Sequence, residues 1–332
     1  MGAQWFDWKQ LNAADPAPTP SPSPDMRRRR GGFTMSPKIL VAEHWKDYAL
    51  LDSGDGWKLE RVGPYKFARP EPQALWRAQS DPDKWQVDAR FSPAADEAEE
   101  MGRWRMTRDI PESWPVKYRD IAFHARCTPF RHLGFFPEQA VHWMWANEHI
   151  KPHSDSRPAQ VLNLFGYTGV ASLMAAKAGA QVTHVDASKK AIGFARQNQE
   201  LAGMQDAPIR WIADDALAFV KREARRGKKY DGIILDPPKH GRGPNGEIWR
   251  LDEQLYDLLS SLRSILADSG ERQTFVIATL YALRLSHLAL SRTLADALDG
   301  LGGEIEAGEM ALREERSERL LPTALFARWV RE

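Results

Sequence analysis

The sequence predicts an α/β protein, on three observations. Strand-like and helix-like stretches alternate from Gln160 to about Leu298. An apolar run, Val161-Leu162-Asn163-Leu164, leads into a glycine turn, Phe165-Gly166-Tyr167-Thr168-Gly169. Acids then stand at the ends of two later apolar runs, in Val185-Asp186 and in Asp236-Pro237-Pro238-Lys239. Alternation at this spacing implies mostly parallel strands with helices on both faces. The expected architecture is a Rossmann-like, doubly wound, seven-stranded sheet with an antiparallel C-terminal edge, plus a small N-terminal β-rich domain.

Five strand-like runs carry the parallel part: Gln160–Leu164, Gln181–Val185, Ile209–Ile212, Gly232–Leu235 and Thr274–Ala278. Helices are predicted over Val170–Ala178, Ser188–Ala202, Asp215–Arg226, Asp252–Ala267 and Leu285–Leu298. Two closing runs, around Glu304–Met310 and Ala324–Val330, flank a charged loop and suit an antiparallel pair added to a parallel sheet. Between Ile39 and Arg126 the apolar runs are short and broken by Gly, Pro and Asp, which reads as antiparallel β structure. Ten of the thirteen tryptophans precede residue 150, as core filling or a half-buried lid, with a base-stacking surface as the alternative. The proline-punctuated tract 15–25 cannot pack a core. Arg27 to Arg30 after it read as a solvated leader, or else as a nucleic-acid-binding arm. The expected division is a leader over 1–35, a β-rich domain over 36–135 that is a candidate for binding substrate, and an α/β domain over 136–332.

Bulk properties exclude several classes. A formal charge of +1 and a pI of about 7.9 give no overall basic signature for nucleic acid and leave room only for a local patch. One cysteine, Cys127, rules out internal disulfides and a zinc site built on several thiolates, so no metal is expected. No apolar run reaches the roughly 20 residues that span a bilayer, and no secretory h-region follows the first charges. The expectation is a cytoplasmic protein with no membrane contact.

The glycine turn has only two glycines, Gly166 and Gly169, so a dinucleotide fingerprint is incomplete, and no Lys-Ser/Thr pair makes a phosphate loop. An uncharged or zwitterionic ligand bearing adenosine fits better than a pyrophosphate. Asp186, twenty residues after Gly166, is placed to accept both ribose hydroxyls, while Ser188 is better placed to cap the next helix. Of Asp214 and Asp215, one is expected to accept from the adenine amino group and the other to cap the helix; Asp215 is taken as the ligand. At Asp236-Pro237-Pro238 two prolines stiffen a strand's carboxyl end, where open α/β sheets bind ligands. There the Asp236 carboxylate and a proline carbonyl offer acceptors to a base edge. The loop His240–Gly246 reads as mobile and able to close over substrate, with Arg242 as a phosphate contact.

Taken together, Asn163 to Gly169, Val185-Asp186-Ala187-Ser188 and Asp236-Pro237-Pro238-Lys239 resemble class I S-adenosylmethionine (SAM)-dependent methyltransferases. Within that class the resemblance is to the large-subunit ribosomal RNA methyltransferase group. Asp215-Ala216-Leu217-Ala218-Phe219 also fits the group's third motif. Residues 160–332 carry the likeness strongly and 36–140 loosely. It implies SAM as cofactor, held by Asn163, Phe165, Gly166, Tyr167, Thr168, Gly169, Asp186, Ala187, Ser188, Asp214, Asp215 and Asp236. Gly134-Phe135-Phe136-Pro137-Glu138-Gln139 is similar to the group's crossing segment, which implies Phe136 and Gln139 at the SAM pocket. RNA is the implied substrate, with Asp236, Pro237, Pro238 and Lys239 at the acceptor.

The chain departs from the group in two places. The cytosine-C5 members carry a cysteine near the end of the fifth strand, where this chain reads Thr279-Leu280-Tyr281-Ala282. Exocyclic-amine enzymes carry an aromatic residue where Lys239 stands. Cytosine C5 and exocyclic adenine are therefore disfavoured, and a ring nitrogen such as guanine N7 needs only positioning. The expected function is non-covalent methylation of a base in ribosomal RNA. Three alternatives stand beside it: methylation of a protein or small molecule, a non-catalytic SAM-binding RNA-associated module, and a nucleotide-dependent oxidoreductase on a similar sheet.

Overall fold

The computed structural model describes residues 36–94, 101–150, 157–268, 272–281 and 285–332. The expected leader, with its proline tract and Arg27–Arg30, lies outside the described residues. After β1 (Lys38–Ala42) comes a five-stranded sheet of β2 (Tyr48–Gly54), β3 (Trp57–Val62), β4 (Tyr65–Pro70), β5 (Ala89–Pro93) and β6 (Gly102–Met106). All its pairs are antiparallel except β4 with β5. The hairpin β7 (Trp114–Tyr118) and β8 (Ile121–Ala125) follows, then α1 (Ala140–Ile150).

Strands and helices then alternate as β9 (Gln160–Leu164), α2 (Val170–Lys177), β10 (Gln181–Asp186), α3 (Lys189–Leu201), β11 (Ile209–Ala213), α4 (Ala216–Arg225) and β12 (Gly232–Leu235). A short hairpin, β13 (His240–Arg242) with β14 (Ile248–Arg250), precedes α5 (Leu251–Leu262). The chain closes with β15 (Thr274–Tyr281), α6 (His287–Ala297), β16 (Glu304–Arg313) and β17 (Leu320–Arg331).

The large sheet has the order β1-β16-β17-β15-β12-β9-β10-β11. From β15 to β11 its strands are parallel, and β17 runs antiparallel to both β15 and β16. The seven predicted strands are present, and β1 adds an eighth, parallel to β16. The antiparallel pair is therefore not the sheet's outermost element. Every residue of β12 is buried, as a strand covered on both faces requires. Ser188, Asp215 and Ser286 cap α3, α4 and α6 through side chains that accept the amide three residues on. Helix α5 stops at Leu262, short of the predicted Ala267. There Tyr230 N donates to Ile265 O at 2.8 Å, drawing the chain onto the entry to β12.

The β-rich part and the α/β part share a core. Phe67, Trp114 and Phe123 cluster with Trp143 of α1 and Leu173 of α2, and Trp45, Trp76 and Trp104 pack against them half-buried. Those tryptophans fill the core. Strand β3 inverts the usual alternation: Lys58 and Glu60 point inward while Trp57 and Leu59 are half-exposed. Lys58 pairs with Glu71 at 2.9 Å and Arg69 grips Glu60 at 2.5 and 2.9 Å, so the buried charges are satisfied. Burial pushes the Glu60 carboxyl up, but the charges of Arg69 and Lys58 outweigh it and hold it at about 2. Among the described residues no helix is long and apolar enough to cross a membrane.

Candidate functional site

Register fixes the layout at the carboxyl end of the parallel strands. Leu164 pairs with Val185 on one side and with Leu235 on the other. The next residues along β10 and β12, Asp186 and Asp236, therefore flank the turn that begins at Phe165. In that turn Phe165, Tyr167 and Gly169 all have left-handed backbones, with φ of 55°, 49° and 79°. Such a backbone strains Phe165 and Tyr167 and is free only for Gly169. A Cβ at Gly169 would stand 2.8 Å from the Ala195 Cβ, and one at Gly166 2.4 Å from the His184 ring. Both glycines are needed because the floor beneath the turn is already filled.

That floor is a buried polar chain. Asn163 Nδ2 donates to Ser172 Oγ at 2.9 Å, and Ser172 Oγ meets His184 Nδ1 at 2.9 Å. Burial drives His184 down to about 3, so its ring is neutral. Asn163 is thus turned inward and acts under the turn. From above, Thr168 Oγ1 donates to Gly134 O at 2.7 Å, and Asn198 links Thr168 O to His124 N of β8.

Asp186 accepts from Tyr167 N at 2.9 Å and from Ser188 N at 2.8 Å, one amide on each oxygen. Each oxygen keeps a further acceptor position, and the residue is half-buried, so a vicinal diol can bind it. Burial raises its pKa and the two amides oppose the rise. Ser188 caps α3 through its side chain, and Ala187 connects it to Asp186. Asp215 takes the capping role at α4, its Oδ1 accepting from Ala218 N at 2.8 Å. Asp214 accepts from Asp215 N at 2.9 Å and pairs with Arg222. The sequence reading took Asp215 as the ligand and left the cap to Asp214; the structure corrects this and gives the cap to Asp215, whose Oδ2 stays free of bonds among the described residues.

Asp236 sits at the end of β12, half-buried, with Gln139 Nε2 donating to its Oδ2 at 3.1 Å. The same nitrogen lies 3.1 Å from the Tyr281 hydroxyl at the end of β15. Burial and then the charge of Glu138 hold the Asp236 pKa well above the usual carboxylate value, with Gln139 opposing. Burial likewise raises Glu138 and Tyr281. The Phe136 ring lies 5.0 Å from Tyr281 and 6.2 Å from Tyr167, joining the crossing segment to both loops. Pro237 is buried; Pro238 and Lys239 are exposed, and the Lys239 ammonium makes no bond among the described residues.

Four contributors carry no sequence signal of their own: Tyr281, Glu138, His132 and Trp249. Trp249 Nε1 donates to Pro238 O at 2.7 Å and its ring lies 5.0 Å from Phe165. One lone pair of the expected proline acceptor is therefore used. The stretch expected as a mobile loop is instead the β13–β14 hairpin seated on this tryptophan. His240, Arg242, Ile248, Trp249 and Arg250 help line an open hollow of about 540 Å³ beside it. Cys127 lies in the β-rich part, its thiol pushed up to about 12 by burial against the opposing charge of Arg69. Among the described residues no group of three His, Cys, Asp or Glu could hold a metal.

Residues 140–253 match the family model described as Conserved hypothetical protein 95. The crystal structure of the SAM-dependent methyltransferase from Agrobacterium tumefaciens is 46% identical, over 88% of this chain and 93% of that one, with a TM-score of 0.82. SMU.776, solved in complex with SAH, shares the fold at 16% identity and a TM-score of 0.67, over 86% of this chain and 76% of that one. The ribosomal RNA large subunit methyltransferase I of Aeromonas salmonicida is 42% identical over 81 residues, 24% of this chain and 20% of that protein. The K/L enzyme of Shewanella frigidimarina is 36% identical over 113 residues, 33% of this chain and 16% of that protein. The chain spans about a fifth of the length of the curated relatives it matches.

Proposed function

The chain belongs to the SAM-dependent methyltransferases, and from that premise we propose that it methylates a base of ribosomal RNA without a covalent enzyme–base intermediate. S-adenosylmethionine is its cofactor and supplies an electrophilic methyl group. The residues at the turn fit that group. Asp186 has acceptor capacity for a ribose diol, and Asp215 Oδ2 is free for an amino group. The turn has only two glycines and no Lys-Ser/Thr pair after them, so it suits a ligand without phosphates. Phe136, Gln139, Phe165 to Gly169 and the Asp186–Ser188 segment surround the position we assign to the cofactor.

The observation that carries the acceptor reading is Asp236, held by Gln139 beside Tyr281 at the strand end next to that turn. Its carboxylate, on a backbone stiffened by Pro237 and Pro238, accepts from a base N–H and aligns the acceptor atom, with Lys239 at the rim. An unstacked base is required to reach it. Rate then comes from alignment of acceptor and methyl group. The ribosomal RNA assignment draws on the curated relatives, and it agrees with a cytoplasmic enzyme bearing one cysteine. The test is transfer of labelled methyl from SAM to unmodified ribosomal RNA transcribed in vitro. Asp236→Ala should abolish transfer and leave SAM affinity within a few-fold; an active Asp236→Ala enzyme overturns the scheme.

The near-neutral charge of +1 favours a second reading, methylation of a protein or small molecule. Binding of RNA that weakens steeply with salt separates the two, because phosphate contacts release counterions.

A further inference from the structure

The segment after β8 is built to hold one aromatic ring in solvent. Phe130 is 42% exposed, yet its backbone is tied from every side. Thr128 Oγ1 accepts from Phe130 N at 3.2 Å and lies 2.9 Å from His132 O. Trp104 Nε1 donates to Thr128 O at 2.7 Å, Gly102 N to Pro129 O at 3.0 Å, and Arg69 Nη1 to Arg131 O at 2.7 Å. Arg69 is itself locked to the buried Glu60. A single exposed apolar residue needs no explanation. A rigid one that opens a continuous series of rings into the active site does.

That series starts with Phe130 stacked on His132, centroids 5.6 Å apart and planes 15° from parallel. His132 lies 5.4 Å from Phe136 and 5.4 Å from Tyr167. Phe136 then meets Tyr281, whose hydroxyl shares Gln139 with Asp236. Burial lowers His132 to about 4, so its ring is uncharged and stacks as an aromatic. Beside this platform runs β6, bridged to it at Met101 and Phe130. Arg103 and Arg105, alternate residues of β6, share one face, are exposed, and form no ion pair or hydrogen bond among the described residues. Arg105 stands directly opposite Arg90, a like-charge pairing that costs stability in a sheet.

We propose that Phe130 is a stacking platform for an unstacked RNA base neighbouring the acceptor nucleotide, with Arg103 and Arg105 on the adjoining phosphates. Base–aromatic stacking is tolerant of sequence, so the platform holds the strand while Asp236 addresses the acceptor. The inference rests on the RNA reading above and adds to it the surface along which the strand enters.

The experiment measures SAM-dependent methylation of unmodified ribosomal RNA transcribed in vitro, and binding of a fluorescein-labelled single-stranded RNA, for wild type, Phe130→Leu, Phe130→Tyr and the pair Arg103→Ala/Arg105→Ala. Phe130→Leu should raise the KM for RNA roughly 5- to 100-fold, the range for loss of one stacked base. Its kcat, SAM affinity and melting midpoint should stay near wild type, since the ring lies at the surface and leucine keeps its apolar contact with His132. Phe130→Tyr, which keeps a π face, should restore RNA binding. The arginine pair should weaken binding and flatten its dependence on log salt by about one to two charges. If wild type methylates RNA and Phe130→Leu has an unchanged KM, the platform is refuted while the RNA reading stands. If wild type neither binds nor methylates RNA, both fall.

Discussion

Trp249 donates its indole N–H to the carbonyl of Pro238 across 2.7 Å and thereby anchors the β13–β14 hairpin to the acceptor loop. The same ring touches Phe165 in the glycine turn, so one side chain spans the proposed cofactor and acceptor halves of the site. Trp249→Phe removes the hydrogen bond and keeps most of the ring. It should cost about 1 kcal/mol and raise the KM for acceptor several-fold at constant SAM affinity. Trp249→Ala empties a site that is 3% exposed and should cost about 3–5 kcal/mol. Urea denaturation and steady-state kinetics on both variants check this. A Trp249→Phe enzyme with unchanged kinetics would break the link to function.

In the proposed scheme Asp236 gives the reaction its acid limb. The proposed role needs the ionised carboxylate, and burial plus the Glu138 charge raise its pKa well above 3.8. As pH falls through that raised value, kcat/KM should drop, at a pH higher than an ordinary aspartate would give. Glu138→Gln removes the like charge, so the limb should move to lower pH. Stability carries the complementary sign. A carboxyl with a raised folded pKa contributes stability that is present below its unfolded value and lost as pH rises through the folded one. Asp236→Asn should therefore gain stability over wild type at pH 8. An unmoved limb in Glu138→Gln would exclude Asp236 as the titrating group.

His184 makes an opposite prediction about acid. Its folded pKa, about 3, lies below the unfolded 6.5, so it contributes stability that is present above pH 6.5 and lost as pH falls towards 3. The loss is about 1.4 kcal/mol per pH unit over that window. Wild type should lose more stability than His184→Asn between pH 7 and pH 5, measured by urea midpoint at each pH. Equal losses would mean that the ring titrates in the fold as it does in the unfolded chain.

Cys127 should be dispensable. Its thiol stays protonated at neutral pH, far from the nucleophilic thiolate form. Cys127→Ser should keep kcat within about two-fold, because a covalent step that uses it would cost orders of magnitude. A folded but inactive Cys127→Ser protein would sink the non-covalent mechanism.

The parallel part of the fold was legible because its strands are covered on both faces and read as apolar runs; Gly232-Ile233-Ile234-Leu235 is buried throughout. The turn and its flanking acids were legible for a local reason, since each follows its strand directly. What escaped depends on distant partners. Strands β4 and β7 carry polar and proline residues within short runs, and α1 follows a 3₁₀ turn without a side-chain cap. On β3 the alternation points the wrong residues inward, because Lys58 and Glu60 are buried against charges contributed by β4 and the residue after it. The sequence reading gave the cap to Asp214 and the structure gives it to Asp215, because adjacent acids before a helix are equivalent until the backbone assigns the cap. Tyr281, Glu138 and Trp249 gain their roles only when strand ends and hairpin converge on Asp236 and Pro238.

Lys38 of β1 reaches Glu306 of β16, 268 positions further along the chain. During synthesis the first described strand thus emerges long before the strand it must lie against, and the sheet stays open at that side until β16 and β17 have been made. Loop closure over such a separation is slow. Until β17 is made, the free side of β15 is a bare backbone rim of the kind that pairs with other chains. A fragment that begins after β1 keeps every proposed cofactor residue but makes the ten-residue β16 the open edge in place of the five-residue β1, a longer edge for other chains to pair with.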